Sequence, residues 1–140
     1  METWLIYALL SAFFAGLTAV LAKFGISKIN SDLGVAIRTA VIFVYVVINV
    51  IILKGTKDIS QLTTKTIIFL VLSGITTALS WIFYYRAMKM GNVSYVAAID
   101  KSSIVITILL SFFLLKEPLT PKLLIGAGLI VAGMIVLIWK

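Results

Sequence analysis

The sequence predicts an all-α, polytopic membrane protein with five transmembrane helices. Of its 140 residues, 62% are hydrophobic and only 12% are charged, and the mean hydropathy of +1.20 lies far above that of ordinary water-soluble domains. Each apolar run is about as long as a helix that crosses a hydrocarbon core of roughly 30 Å. The predicted helices, which together form one domain over residues 1–140, cover residues 4–22, 33–53, 66–85, 94–115 and 121–139.

Composition also excludes several classes of protein. The chain has no Cys and no His, so it lacks thiolate ligands, the commonest metal ligand and the commonest general base. We therefore expect no catalytic residues, no bound metal and no cofactor. The net charge of +7 comes from cations that flank the apolar runs, which is typical of membrane anchors rather than of a nucleic-acid surface.

The first run is predicted to be a retained helix. A secretory signal would begin with a basic segment, whereas this chain has Glu2 before a long apolar stretch. Trp4 and Tyr7 stand where aromatic side chains meet the membrane interface, and Lys23 ends the run.

The second run carries an arginine five residues inside it. Arg38 shares one helical face with Tyr45 and Asn49, at i+7 and i+11. Near a helix end, such a side chain can reach the headgroups by snorkelling. The alternatives are that Arg38 pairs with Asp100 or holds an anionic group of a substrate.

The third run follows a polar loop at residues 54–65. Ser80 and Tyr84 continue a hydroxyl stripe from Ser73 and Thr77, and Trp81 lies beside it. Hydroxyls in membrane helices often bond to carbonyls of their own helix. The second interpretation is that this stripe lines a cavity shared with the other polar faces.

The fourth run contains two full charges, Asp100 and Lys101. Each charge at a bilayer centre costs about 2.5 to 3.5 kcal/mol, so such residues usually have a function. Asp100 heads a stripe with Ser103 and Thr107, which favours a cavity-lining role. Adjacent helical residues point about 100° apart, so we expect Lys101 not to pair with Asp100 but to meet a neighbouring helix or to snorkel.

The fifth run begins after a turn that reads LKEPLTPK. Thr120 followed by Pro121 predicts an N-cap and a first helical residue. Gly128 and Ala132 form a small-residue pair on which another backbone can pack closely. Glu117, in the turn, is expected in solvent.

The order of the five helices predicts a topology. The second and fourth helices start on the same side of the membrane, which brings Arg38 and Asp100 to similar depth and permits an ion pair. Lys23 and Arg86 end helices on that side, which predicts a charged vestibule. The loop cations balance, with five on one side and five on the other: Lys54, Lys57, Lys65, Lys116 and Lys122 against Lys23, Lys28, Arg86, Lys89 and Lys140.

Balanced loop charge favours insertion in both orientations. Many secondary transporters consist of two inverted repeats, which an antiparallel homodimer of this chain would reproduce. The alternative is one weakly biased orientation.

The residues also resemble a known family. The stretches FFAGLTAVLAKFG, AIRTAV, AIDKSS and LKEPLTPK are similar to those of an EamA domain of the drug/metabolite transporter superfamily, in its single-unit, five-span bacterial and archaeal branch. The family more often reads LGE where this chain has LKE, so Lys116 is a departure.

The resemblance implies a secondary transporter in the cell (inner) membrane, of a small polar metabolite or drug-like compound and with export as the expected direction. By analogy, Asp100 could bind a cation or proton, and Arg38 or Lys101 a carboxylate or phosphate. The candidate substrate- or ion-binding residues are Asp100, Arg38, Lys101, Ser103, Thr107, Ser80, Trp81 and Tyr84.

The alternative function is a non-transporting assembly subunit or half-transporter that requires a second EamA protein. The expected partners are the lipid bilayer, a small-molecule substrate and a second copy of the chain. A membrane enzyme is the least supported class, because the spans offer no convincing catalytic set.

Overall fold

The computed structural model describes residues 2–139, so Met1 and Lys140 lie outside it. Lys140 is one of the ten loop cations counted above. The helices are α1 (Thr3–Ile26), α2 (Ser31–Ile52), a 3₁₀ helix (Gly55–Gln61), α3 (Thr64–Met90), α4 (Val93–Asp100), α5 (Ser103–Leu110), a π-helical turn (Ser111–Leu115) and α6 (Pro121–Ile138). Within residues 2–139 there is no strand. Five helical stretches there are long and apolar enough to cross a membrane, with residues 93–115 as the fourth. The all-α, five-span prediction is confirmed.

Two helices are longer than predicted. α3 continues to Met90, so the expected connection after Tyr85 is largely helical, and α1 continues to Ile26. Residues 86–90 read RAMKM, all good helix formers, and basic side chains are favourable in a last helical turn. A charged residue therefore marks the edge of the apolar run without ending the helix.

The fourth span tightens at Lys101 and Ser102, although both residues keep right-handed helical backbone angles; the sequence interpretation did not foresee this. α4 ends at Asp100, and the N–H groups of Lys101 and Ser102 bond to carbonyls three residues back, at 3.1 and 2.9 Å. The Ser102 hydroxyl also donates to the Ile99 carbonyl, at 2.7 Å. Asp and Ser compete with helical hydrogen bonds through their short polar side chains, which accounts for a tightened turn in the sequence DKSS.

The fourth span ends in a left-handed residue. Lys116 has φ 58° and ψ 32°, and the N–H groups of Lys116 and Glu117 both bond to the Ser111 carbonyl. This closes the π-helical turn. A left-handed helix end favours glycine because glycine has no Cβ. In the LGE sequence that the resemblance implies, glycine therefore stands at the position of Lys116, where a left-handed backbone favours it.

We expect Lys116→Gly to stabilise the protein. Glycine avoids the cost of about 1 to 2 kcal/mol that a left-handed conformation imposes on an ordinary residue. Its greater freedom in the unfolded chain cancels about 0.5 to 1 kcal/mol of this gain in stability. Thermal unfolding in detergent should shift up for Lys116→Gly and down for Lys116→Val, because a β-branched residue is a poor left-handed residue. Equal shifts in the two variants would contradict a left-handed Lys116.

The chain divides into two compact units, and each is described separately. The first unit holds residues 2–20 and 91–139; there α4 packs against α6, and Ala19 and Met134 are buried. The second unit holds residues 21–90, and in it α2 packs against α3. Its buried residues are Ile26, Val35, Tyr85 and Met88. One domain over the whole chain stays a prediction.

Large apolar side chains along the spans are exposed in both units. Phe113 of the first unit and Phe43 of the second are 71% and 69% exposed. In water, surfaces this apolar are aggregation sites. In a bilayer, lipid tails or other membrane helices cover them, so this surface fits a chain whose helices lie in lipid.

Candidate substrate-binding site

Arg38 stacks on two aromatic rings of α3. Its guanidinium carbon lies 4.1 Å from the centroid of the Trp81 ring and 5.8 Å from that of Tyr85. Both distances are within the range of a cation–π interaction. Trp81 and Tyr85 are one turn apart on α3, so their rings stand on the same face. A guanidinium that lies over aromatic rings has five N–H donors, and a carboxylate or phosphate binds to such donors.

The approach of α2 to Ile26, at the end of α1, depends on a glycine. Gly34 lies one turn before Arg38, and a β-carbon there would stand 2.5 Å from Cγ2 of Ile26 and 3.7 Å from the Tyr85 ring. Ile26 and Tyr85 are 2% and 3% exposed. The backbone of α2 is thus as close to the Ile26 side chain as only glycine permits, whereas a β-carbon would make an ordinary contact with the Tyr85 ring.

Tyr85 was not among the predicted site residues. The hydroxyl stripe drew attention to Tyr84, whose ring lies 6.5 Å from that of Tyr85. The signal that could have identified Tyr85 is its position four residues after Trp81, which puts the two rings on one face. Ser80, a predicted site residue, is exposed.

Hydroxyls of the predicted stripes bond within their own helices. Thr77 donates to the Ser73 carbonyl at 2.8 Å, and Thr107 donates to the Ser103 carbonyl at 3.0 Å. The local interpretation therefore holds for these two side chains. A cavity shared by the stripes, and an ion pair between Arg38 and Asp100, stay predictions.

Asp100 and Lys101 form an ion pair, contrary to expectation. The Lys101 Nζ lies 3.5 Å from Oδ2 of Asp100. The prediction that these neighbours cannot meet is wrong, because the flexible four-carbon stem of lysine lets its ammonium group reach the adjacent carboxylate even though the two Cβ atoms point apart.

A cleft of about 240 Å³ lies in the first unit, beside the end of the fourth span. Its walls are mostly apolar, and its polar members are Thr107, Ser111 and Glu117. Glu117 is exposed, as predicted, and also lines this cleft.

The second unit has an ion pair that the sequence interpretation missed. Arg86 donates from Nε to Oδ1 of Asp32 at 3.0 Å and from Nη2 to Oδ2 at 2.7 Å. Asp32 lies in the first turn of α2, where Asn30 caps its N–H at 2.7 Å. An acidic residue just after an Asn N-cap is a recognised signal of a helix start.

Two lysines join the ends of α1 and α3. Lys89, on α3, donates to the Ile26 carbonyl at 3.0 Å and to the Ile29 carbonyl. Lys23, on α1, donates to the Met88 carbonyl. Each lysine places its charge at the negative end of the other helix, which is favourable. Lys23 and Arg86, which were predicted to form a charged vestibule, thus make structural contacts here.

The comparisons with known proteins agree with this architecture. A family model described as the EamA-like transporter family matches residues 2–139. The chain is 40% identical over 136 residues to an uncharacterized transporter in the cobO 3′ region of a Sinorhizobium species, covering 97% of this chain and 96% of the relative. It is 29% identical over 137 residues to an uncharacterized protein of Methanocaldococcus jannaschii, with 98% and 97% covered. No solved structure matches significantly.

The five spans and these relatives define a multi-pass membrane protein of the transporter class. The chain belongs to the EamA-like transporter family, and a single EamA unit accounts for its length. Members of this family are transporters rather than enzymes.

Proposed function

We propose that this chain is a five-helix half of a secondary transporter that exports a small polar metabolite or drug-like compound across the inner cell membrane. The compound carries a carboxylate or phosphate group, and two copies of the chain in opposite orientations form the working unit. The observation that carries the proposal is Arg38, inside α2 and stacked on Trp81 and Tyr85.

A free-energy comparison supports a ligand at Arg38. An arginine at the centre of a membrane helix costs about 2.5 to 3.5 kcal/mol, and the cost is lower for Arg38, which lies nearer the start of α2. A cation–π contact offsets about 0.5 to 2 kcal/mol of that. The remaining cost favours a further partner for the N–H edge of Arg38, and an anionic group of a substrate would supply one through charge-assisted hydrogen bonds.

Trp81 offers a direct test of this site. The chain has three Trp residues, so Trp4→Phe with Trp139→Phe leaves Trp81 as the fluorescent reporter next to Arg38. The probes are matched pairs: succinate against succinamide, and glycerol 3-phosphate against glycerol. We expect a saturable change in Trp81 emission for at least one charged probe and none for its neutral partner. Equal responses within each pair would reject an anion site at Arg38.

The balanced loop charges support the antiparallel homodimer. Because the chain has no Cys, Thr56→Cys gives a single thiol at an exposed position of the 3₁₀ helix without altering charge. An impermeant thiol reagent should label about half the chains in intact cells and all of them after permeabilisation.

Ser27→Cys, in the connection before α2, is the matched control and should also be about half labelled. If one of the two positions is fully labelled and the other not at all, the chain has one orientation. A half-transporter that requires a second EamA chain then replaces the homodimer.

A further inference from the structure

An open groove of about 370 Å³ runs along α6 in the first unit. α4 packs against α6, and Ile104 of α5, further along the same span, contributes to the wall of the groove. On α6 the lining includes Lys122, Gly126 and Ile130, which recur every four residues and so share one helical face. Gly126 leaves space in the groove, because a β-carbon there would meet nothing within 4 Å. The groove can therefore take up an extended apolar chain.

The polar members of the lining stand at one end of the groove. They are Thr120 and Lys122, at the start of α6. The Thr120 hydroxyl oxygen accepts a hydrogen bond from the Leu123 N–H at 3.3 Å, so it is already engaged as the N-cap. Neither of the ion pairs within residues 2–139 includes Lys122. This end of the groove thus carries a positive charge without a carboxylate partner in that part of the chain, and the rest of the lining is apolar.

The length of α6 sets the depth of this charge in a membrane. Pro121–Ile138 has 18 residues, about 27 Å of helix, which nearly matches a hydrocarbon core of roughly 30 Å. Lys122, at the second position, therefore lies at headgroup level, where long lysine side chains place their charge. Ile130 lies about 12 Å further along the helix axis, inside the hydrocarbon. The groove thus runs from the headgroups towards the bilayer centre.

We propose that this groove binds one phospholipid with a net negative headgroup. The phosphate pairs with the ammonium group of Lys122, and an acyl chain lies along Gly126. Such a lipid has its negative charge at the interface and its apolar chain below it, in the same order as the groove presents Lys122 and its apolar walls. A zwitterionic lipid carries its own ammonium group, which competes with Lys122 for the phosphate.

A second copy of α6 fits the groove less well. A parallel copy would bring another Lys122 to the same end, and an antiparallel copy would bring the apolar end at Ile138. Neither supplies a negative group to Lys122. Lipid binding also requires no transported substrate, so this proposal does not rest on the proposed function.

Native mass spectrometry of the purified protein in detergent tests the lipid site. The probes are phosphatidylglycerol and phosphatidylethanolamine with identical acyl chains. We expect one phosphatidylglycerol per chain, held about fivefold more tightly than phosphatidylethanolamine, which is the usual contribution of one basic residue at a membrane surface. Lys122→Gln should remove this preference. Gly126→Leu should weaken the binding of both lipids, because the new side chain fills the groove.

Lys116→Gln and Gly128→Leu are the matched controls. Lys116 lies outside the lining of the groove, and Gly128, two residues after Gly126, points to another face of α6. A β-carbon at Gly128 would also meet nothing within 4 Å, and Leu has a better helix propensity than Gly. Both controls should bind the two lipids as the wild type does. Arg38→Met should also keep the lipid preference, so this site and the one proposed at Arg38 can fail separately.

Three results would overturn the lipid site. The first is equal binding of the two lipids by the wild type. The second is a preference that Lys122→Gln retains, or that Lys116→Gln removes equally. The third is a Gly126→Leu protein with unchanged lipid binding. If that variant also turns a dimer into monomers in the same spectra, the groove holds a second copy of the chain instead.

Discussion

Replacing Arg38 with Met is expected to lower the affinity for the responding anionic probe by about 30-fold or more. Removing one partner from a desolvated, hydrogen-bonded charge pair costs roughly 2 to 5 kcal/mol, and 2 kcal/mol corresponds to about 30-fold. The measurement is the Trp81 emission titration, followed by flux of the same probe in proteoliposomes. Arg38→Lys should recover only part of the affinity, because an ammonium group keeps the charge but lacks the planar fork.

Arg86→Met is the matched control. Arg86 is the other arginine of the sequence, and its side chain pairs with Asp32. It should leave probe affinity near that of the wild type. Thermal unfolding separates loss of binding from loss of fold: Arg38→Met removes a costly intramembrane charge and should not lower the unfolding temperature. An Arg38→Met protein that binds the probe normally would contradict the proposed site.

Gly34→Ala is expected to destabilise the protein by about 1 to 3 kcal/mol, the usual cost of overpacking a tight contact. The new β-carbon would lie 2.5 Å from Cγ2 of Ile26, well inside the 3.5 to 4.0 Å at which carbon atoms attract each other. Ile26 is 2% exposed, and a β-branched side chain has little rotational freedom. Relief therefore requires movement of α2. Thermal unfolding in detergent measures the effect.

Gly74→Ala is the control for this prediction. Its β-carbon would meet nothing within 4 Å in this chain, so the better helix propensity of Ala should stabilise α3 by up to about 1 kcal/mol. The two substitutions are chemically identical and should shift the unfolding temperature in opposite directions. A stabilised Gly34→Ala protein would show that α2 does not approach Ile26 this closely.

The sequence by itself determined the class of fold and several of its boundaries. Five apolar runs predict five spans because the hydrocarbon core demands about 20 apolar residues and internal backbone hydrogen bonds. The start of α6 was also readable: Thr120 accepts a hydrogen bond from the Leu123 N–H at 3.3 Å, with Pro121 as the first helical residue. These features are local, so neighbouring residues suffice to specify them.

The sequence also singled out Arg38 and Trp81, which the structure brings together. Arg38, Asp100 and Lys101 stood out because full charges in membrane spans are costly, and Trp81 stood out as an aromatic beside a polar stripe. Helical periodicity shows which residues share a face, but it does not show which face meets another helix. The selection of Tyr84 instead of Tyr85 follows from that limit.

The tertiary structure alone decided the partners of these residues. Asp32 and Arg86 are 54 positions apart in the chain, and Lys23 and Lys89 bond to carbonyls that carry no side-chain signature. The pairing of Asp100 with Lys101 depended on the conformation of the lysine side chain. Such contacts result from the packing of helix ends and from competition among backbone hydrogen bonds, and hydrophobic periodicity is insensitive to both.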